Sequence, residues 1–139
     1  MLDKQLKLEE FVAKLHDGMT LGIGGWATRR KPMALVRAIA RSSICDLTIV
    51  AYGGPDVGLL AAMGKIRKLI FGFVSLDHLP VEPHFKAARQ AGLPVLELDE
   101  GMVHWGLRAA AMRLPFLPTR SGTATGIAEQ SELRLVQSP

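Results

Sequence analysis

The chain has 139 residues, 48% apolar and 22% charged, a balance that fits one folded domain over residues 1–139 and excludes a disordered polyelectrolyte. No apolar run approaches the ~18 residues of a membrane span, and the single cysteine, Cys45, excludes an internal disulfide and a multi-cysteine metal site. The net charge of +4 is scattered apart from Arg29-Arg30-Lys31, and no nucleic-acid-binding motif accompanies it, so a small anionic ligand suits it better than nucleic acid. The first residues carry charge but no apolar stretch, so no secretory signal is expected and the cytoplasm is the default compartment.

Residues 3–16 place Leu6, Leu8, Phe11, Val12 and Leu15 at a mostly helical period, ended by Asp17-Gly18. Thr20 to Ile23 reads as a short buried strand, broken by Gly24-Gly25-Trp26. Pro32 can open the next helix, because its missing N–H is not needed there. Met33, Val36, Ile39 and Ala40 give that helix an apolar face. Asp46 to Ala51 is a β-branched strand closed by Tyr52-Gly53-Gly54-Pro55-Asp56, and a short helix over 57–63 ends at Gly64. Lys68 to Val74 is a third strand, closed by Ser75-Leu76-Asp77. A helix over 82–91 stops at Gly92. Pro94 to Leu98 is a fourth strand, closed by Asp99-Glu100-Gly101, and 102–113 is helical up to Pro115 and Pro118. Ser121 to Gly126 reads as a flexible loop and Leu133 to Val136 as a last strand.

Strands alternating with helices predict an α/β fold: an open, mostly parallel sheet with helices on both faces. Ligands of such sheets bind outside the carboxyl ends of the strands. Four segments then share one edge: Gly24-Gly25, Gly53-Gly54-Pro55-Asp56, Ser75-Leu76-Asp77 and Asp99-Glu100-Gly101. On that edge Glu100 is a candidate general base or carboxylate nucleophile. The alternative is a plain helix start, with Asp99 as N-cap and Glu100 in the first turn. Gly24 and Gly25 could bring backbone N–H groups close to a ligand, or simply turn the chain. Gly53-Gly54 divides the same way between a site and a helix start. Arg29 and Arg30 could clamp a carboxylate, or form a solvated face. Ser75 lacks the Gly-x-Ser-x-Gly elbow of an α/β-hydrolase. His104 could reach the Glu100 region one helical turn on. The four histidines show no metal-ligand spacing, and Cys45 reads as core rather than nucleophile.

Asp17-Gly18, the apolar run to Gly24-Gly25-Trp26, and Arg30-Lys31-Pro32 resemble the signature near the start of family I coenzyme A (CoA) transferase α subunits. Trp26 stands where that signature has Phe, and Arg30 where it has a later Gly. Further blocks resemble, more narrowly, the α subunits of actinobacterial steroid-ring-cleaving hydrolases, which have the CoA-transferase fold. These are Arg29 to Ala34, Tyr52 to Asp56, Gly72 to Asp77, Glu97 to Met102 and Arg113 to Pro118.

The resemblance implies hydrolysis of a carbon–carbon bond in a cyclic dione that keeps its CoA thioester, with Glu100 as the catalytic residue. It implies a β-subunit partner in an α2β2 assembly, CoA carried by the acyl-CoA substrate, and no tightly bound cofactor, metal, nucleic acid or membrane. It leaves Gly24, Gly25, Arg29, Arg30, Gly53, Gly54, Ser75 and Asp99 as substrate- or CoA-binding candidates. The Ser-Glu-Asn-Gly-like turn of ordinary transferases is missing around Glu100, which favours the hydrolase branch over CoA transfer. A CoA-transferase subunit and a non-catalytic scaffold are the alternatives. Subunits of the family are roughly twice this length, so the chain resembles an N-terminal half.

Overall fold

The computed structural model describes residues 5–131 and 133–137. In chain order the elements are α1 (Leu8–Val12), β1 (Thr20–Ile23), α2 (Met33–Arg41), β2 (Leu47–Gly53), α3 (Pro55–Ala62), β3 (Ile66–Val74), α4 (Pro83–Gln90), β4 (Val95–Glu97), α5 (Glu100–Ala111) and α6 (Ile127–Gln130). The four strands form one sheet in the order β1-β2-β3-β4, and every neighbouring pair is parallel. All four carboxyl ends therefore lie on one edge, as the alternation of elements predicts.

Strand alternation divides the apolar residues between two faces. Ile49 pairs with Leu21 and Leu69, and Ala51 with Ile23 and Phe71. These side chains share a core with Val36 and Ile39 of α2, Val57 and Leu60 of α3 and Phe85 of α4. Ile39, Leu47, Ile49, Leu60 and Leu69 are fully buried there, each worth about 1.5–3 kcal/mol relative to an exposed position. Val50, Tyr52, Ile70 and Leu96 point the other way, where Leu98, Met102 and Val103 pack on them together with Ile127 of α6. Phe11 of α1 also packs on the larger core, so helices cover both faces, α1 to α4 on one and α5 with α6 on the other.

The helix starts follow the local chemistry. Pro55 and Pro83 occupy first-turn positions of α3 and α4, and the Glu82 carboxylate accepts from Phe85 N at 2.6 Å. α5 begins at Glu100, two residues before the predicted start, because Asp99 caps it. The predicted helix over 3–16 is the five-residue α1; its start is fixed by the Glu10 carboxylate, which accepts from Lys7 N at 2.9 Å. Asp3 and Lys4 lie outside the described residues. The strand predicted at Leu133 to Val136 is not formed: these residues have no ladder partner among the described strands, and Leu133, Leu135 and Val136 are exposed.

Candidate active site

β1 and β3 end in the same kind of tight turn. Trp26 and Arg29 exchange backbone hydrogen bonds at 2.9 and 2.7 Å, and Leu76 and Leu79 do so at 3.0 and 2.9 Å. The two turns are latched to each other. Thr28 Oγ1 donates to Asp77 Oδ2 at 2.7 Å, and Arg29 Nη2 lies 3.2 Å from the same oxygen. The pair is exposed and adds little stability, but it gives the Arg29 guanidinium a partner within the chain. At the first turn Gly25 has φ +96, and a Cβ there would meet the carbonyl oxygens of Arg29 and Arg30 at 2.7 Å. Only glycine fits that position.

Behind the latch lies a buried ion pair. Lys31 Nζ sits 2.9 Å from Asp56 Oδ2, with the two side chains 1% and 0% exposed. Lys31 Nζ also donates to the Tyr52 carbonyl at 2.6 Å, and Asp56 Oδ1 accepts from Gly54 N at 2.9 Å. Asp56 Oδ2 makes no aligned hydrogen bond, so its contact with Lys31 is a charge pair rather than a directed bond. The pair ties the loop after β1 to the turn after β2. Gly54 completes that join, since a Cβ there would collide with the Ala27 backbone. The sequence groups Arg29-Arg30-Lys31 as its densest cluster of positive charge. Its third member is instead buried.

Glu100 is held from three sides. Its backbone rests on β3, where a Cβ on Gly72 would meet Glu100 N and Cα at 3.3 Å. Its carbonyl accepts the Tyr52 hydroxyl at 2.7 Å. The preceding Asp99 accepts from Met102 N at 2.6 Å, which caps α5 and leaves the Glu100 side chain exposed at the first helical position. Asp99 therefore fills the structural role read for it from sequence. Replacing it by Ala is expected to cost about 1 kcal/mol, with a range of ~0.5–2, measurable as a shift in the urea midpoint; Asp99→Asn retains the cap. The segment after α5 folds back over this start. Ser121 Oγ occupies the space beside Gly101, and Gly122 lies against Met102, so the predicted flexible loop is packed at its first two residues.

Burial, with smaller contributions from the Glu100 and Asp99 carboxylates, pushes the Tyr52 phenol above its ordinary value of 10.0. The folded state therefore holds this proton more tightly than the unfolded chain does. The corresponding stability is present at neutral pH and declines as pH rises above ~10 toward the folded value. Tyr52 is the one tyrosine in the sequence, so phenolate absorbance reports it alone. The folded chain should titrate above pH 10.0, and a midpoint at or below that would contradict the hydroxyl's placement.

Among the described residues, Trp26 is the common wall of two cavities that open on this edge. The first, about 590 Å³, is lined by Trp26, Phe73, Ser75, Asp77, His78 and Glu100 among others. The second, about 730 Å³, is lined by Gly24, Gly25, Arg29, Arg30, Tyr52 and Leu107 among others. Of the candidates named from sequence, Glu100 and Ser75 come together in the first cavity, and Gly24, Gly25, Arg29 and Arg30 in the second. Gly53, Gly54 and Asp99 line neither. The turn at Gly53-Gly54 packs instead against Val57, Val74 and Ala27. His104 is exposed on α5 and lines neither cavity, whereas His78 lines the first. Partial burial and the carboxylates of Asp17 and Asp46 push the Cys45 thiol up, keeping it protonated. Sequence reasoning missed Tyr52 as the support of Glu100. Its position as the last outward residue of β2, on the face away from the larger core, was the available signal.

Residues 6–137 match the family described as Coenzyme A transferase. The chain is 56% identical over 141 residues to a "Cholesterol ring-cleaving hydrolase IpdA subunit" of Rhodococcus jostii (strain RHA1), covering 99% of this chain and 48% of that protein. A subunit of the same description from Mycobacterium tuberculosis (strain ATCC 25618 / H37Rv) is 52% identical over 143 residues, covering 100% and 49%. Among solved structures, a variant of the decarboxylase AibA/AibB superposes with a TM-score of 0.86 at 32% identity, over 96% of this chain and 53% of that one. Glutaconate CoA-transferase from Acidaminococcus fermentans superposes with a TM-score of 0.81 at 29% identity, over 91% and 41%. The chain spans about half the length of the curated relatives it matches. A match running almost from end to end, on a sheet that superposes as a whole, makes this chain a member of the coenzyme A transferase family.

Proposed function

We propose that this chain, within a full-length α subunit and with a β partner, hydrolyses a carbon–carbon bond in the ring of a cyclic-dione acyl-CoA during steroid breakdown. The observation that carries the reading is the placement of Glu100: an exposed carboxylate whose backbone is fixed by Gly72 and Tyr52 at the wall of an open cavity. The 56% identity to a subunit described as a cholesterol ring-cleaving hydrolase supports the substrate class. CoA enters as part of the substrate, no tightly bound cofactor is invoked, and the reaction belongs in the cytoplasm.

In this scheme Glu100 takes a proton from water as the oxygen adds to a ring ketone. Backbone N–H groups stabilise the tetrahedral oxyanion; Gly24-Gly25 line the cavity across Trp26 from Glu100, which leaves this role to the partner. The carbon–carbon bond then breaks. The attacked carbon leaves as a carboxylic acid, and the electron pair passes to the neighbouring carbon as an enolate stabilised by its adjacent carbonyl. The proton held by Glu100 returns to that carbon, so one water is added and the thioester is untouched. Ser75 lines the same cavity and Arg30 the adjoining one, where they can orient the substrate's oxygens.

A second reading is CoA transfer, which the superposition on glutaconate CoA-transferase favours. There Glu100 attacks the thioester to give an acyl-glutamyl anhydride and CoA thiolate; the thiolate then attacks the glutamyl carbonyl, releasing the acyl carboxylate and leaving CoA on Glu100 as a glutamyl thioester. Borohydride trapping separates the two. The complex of α and β subunits is mixed with thioester, with and without an acceptor acid, and the Glu100 peptide is weighed. Hydrolysis predicts turnover without acceptor and an unmodified peptide. Acceptor-dependent turnover with a reduced Glu100 would establish transfer.

A further inference from the structure

Trp26 is 45% exposed although its surroundings are fixed on every other side. Its backbone is pinned by the exchanged bonds with Arg29, and the next residue, Ala27, is buried against Gly54. Its ring centroid lies 5.1 Å from that of Tyr52 and 4.9 Å from that of Phe73, the latter contact edge-on. Tyr52 and Phe73 close the triangle at 5.8 Å. Each ring comes from the carboxyl end of a different strand or the turn beyond it. The indole is therefore braced by two aromatic neighbours and leaves its remaining surface to the two cavities it separates. The same cluster fixes Glu100, because the Tyr52 hydroxyl holds the Glu100 carbonyl.

A rigid aromatic surface beside a carboxylate favours a ring that can lay one apolar face against it, since a ring loses little conformational freedom on packing. An open acyl chain must be ordered to cover the same area, and that ordering opposes binding. We infer that the exposed indole of Trp26 is a binding platform for the ring portion of the acyl group, and that Trp26 thereby selects cyclic over open-chain acyl thioesters. The inference rests on the proposed function for the identity of the thioester, and it adds the residue that chooses the acyl group. Phe at this position, as in the family signature, offers a smaller surface on the same bracing.

The test is equilibrium binding by calorimetry to the complex of the full-length α subunit with its β partner, carrying Glu100→Gln so that ligand is not consumed. Two ligands of equal carbon number are compared, a cyclic-dione acyl-CoA and an open-chain acyl-CoA. Trp26→Leu should weaken the cyclic ligand about tenfold and leave the open-chain ligand within about threefold. Trp26→Phe, the variant that keeps a ring, should fall between. Equal weakening of both ligands, or no change in their ratio, would overturn the platform. So would loss of α–β assembly on gel filtration with an unaltered ratio, since the indole would then be a subunit contact. Failure of the unsubstituted complex to hydrolyse any cyclic-dione thioester would count against the proposed function, while the binding ratio still judges Trp26.

Discussion

Glu100→Gln should lower turnover by about 10²–10⁴-fold, the usual range for losing a positioned proton-transfer group. Fold and ligand affinity should change little. The amide matches the carboxylate in size, the side chain is exposed, and the contacts that fix this residue run through its backbone. The substitution removes the base and leaves the geometry. Steady-state rates together with thermal unfolding of the variant check both halves. A variant with full turnover would leave Glu100 without a chemical role, and the proton acceptor would have to be sought elsewhere on the same edge. A variant that unfolds would mean that the carboxylate itself holds the start of α5.

Lys31→Met should have the largest effect on stability. It leaves the Asp56 carboxylate buried beside an apolar side chain, and breaking a buried pair from one side costs roughly 3–5 kcal/mol. That is a large part of the ~5–15 kcal/mol that holds a small domain together. The Tyr52 carbonyl also loses its donor, so the end of β2 loosens where it supports Glu100. Pairing Lys31→Met with Asp56→Asn removes the stranded charge and should recover part of the loss. Asparagine keeps an acceptor for Gly54 N. Urea denaturation of the single and double variants measures the difference. A loss below about 1 kcal/mol for Lys31→Met would show that the cation does little at this join.

The sheet was legible in the sequence because its strands are short β-branched or apolar runs separated by glycine turns. Thr20 to Ile23 is found where the pattern places it, and the other three strands of the sheet differ only at their ends, whereas the last predicted strand, Leu133 to Val136, is not formed. The edge that collects Gly24, Ser75 and Glu100 follows from the parallel topology alone. The weak elements were less legible. α1 stops after five residues because the chain tightens into three-residue turns, with Lys14 N donating to Phe11 O and Leu15 N to Val12 O. α6 is a single short turn whose Ile127 packs on the second core, a contact without a local signature. Within the site, identity was easier to read than neighbourhood. Spacing brought out Glu100, but nothing in Arg29-Arg30-Lys31 distinguishes a lysine that pairs with Asp56 at 1% exposure from two arginines beside a cavity. The division of the edge by Trp26 was equally hidden, because it depends on three rings contributed by distant parts of the chain.

We propose that this family member supports addition of water across a carbon–carbon bond while the thioester survives. Mass spectrometry of the product formed in ¹⁸O-water tests it most directly. The complex of full-length α and β subunits is given a cyclic-dione acyl-CoA with no acceptor acid. Hydrolysis predicts a product that still carries CoA and is heavier by one labelled water, with the label in the new carboxylate. A product that has lost CoA, or acyl exchange that begins only when an acceptor acid is added, would contradict it.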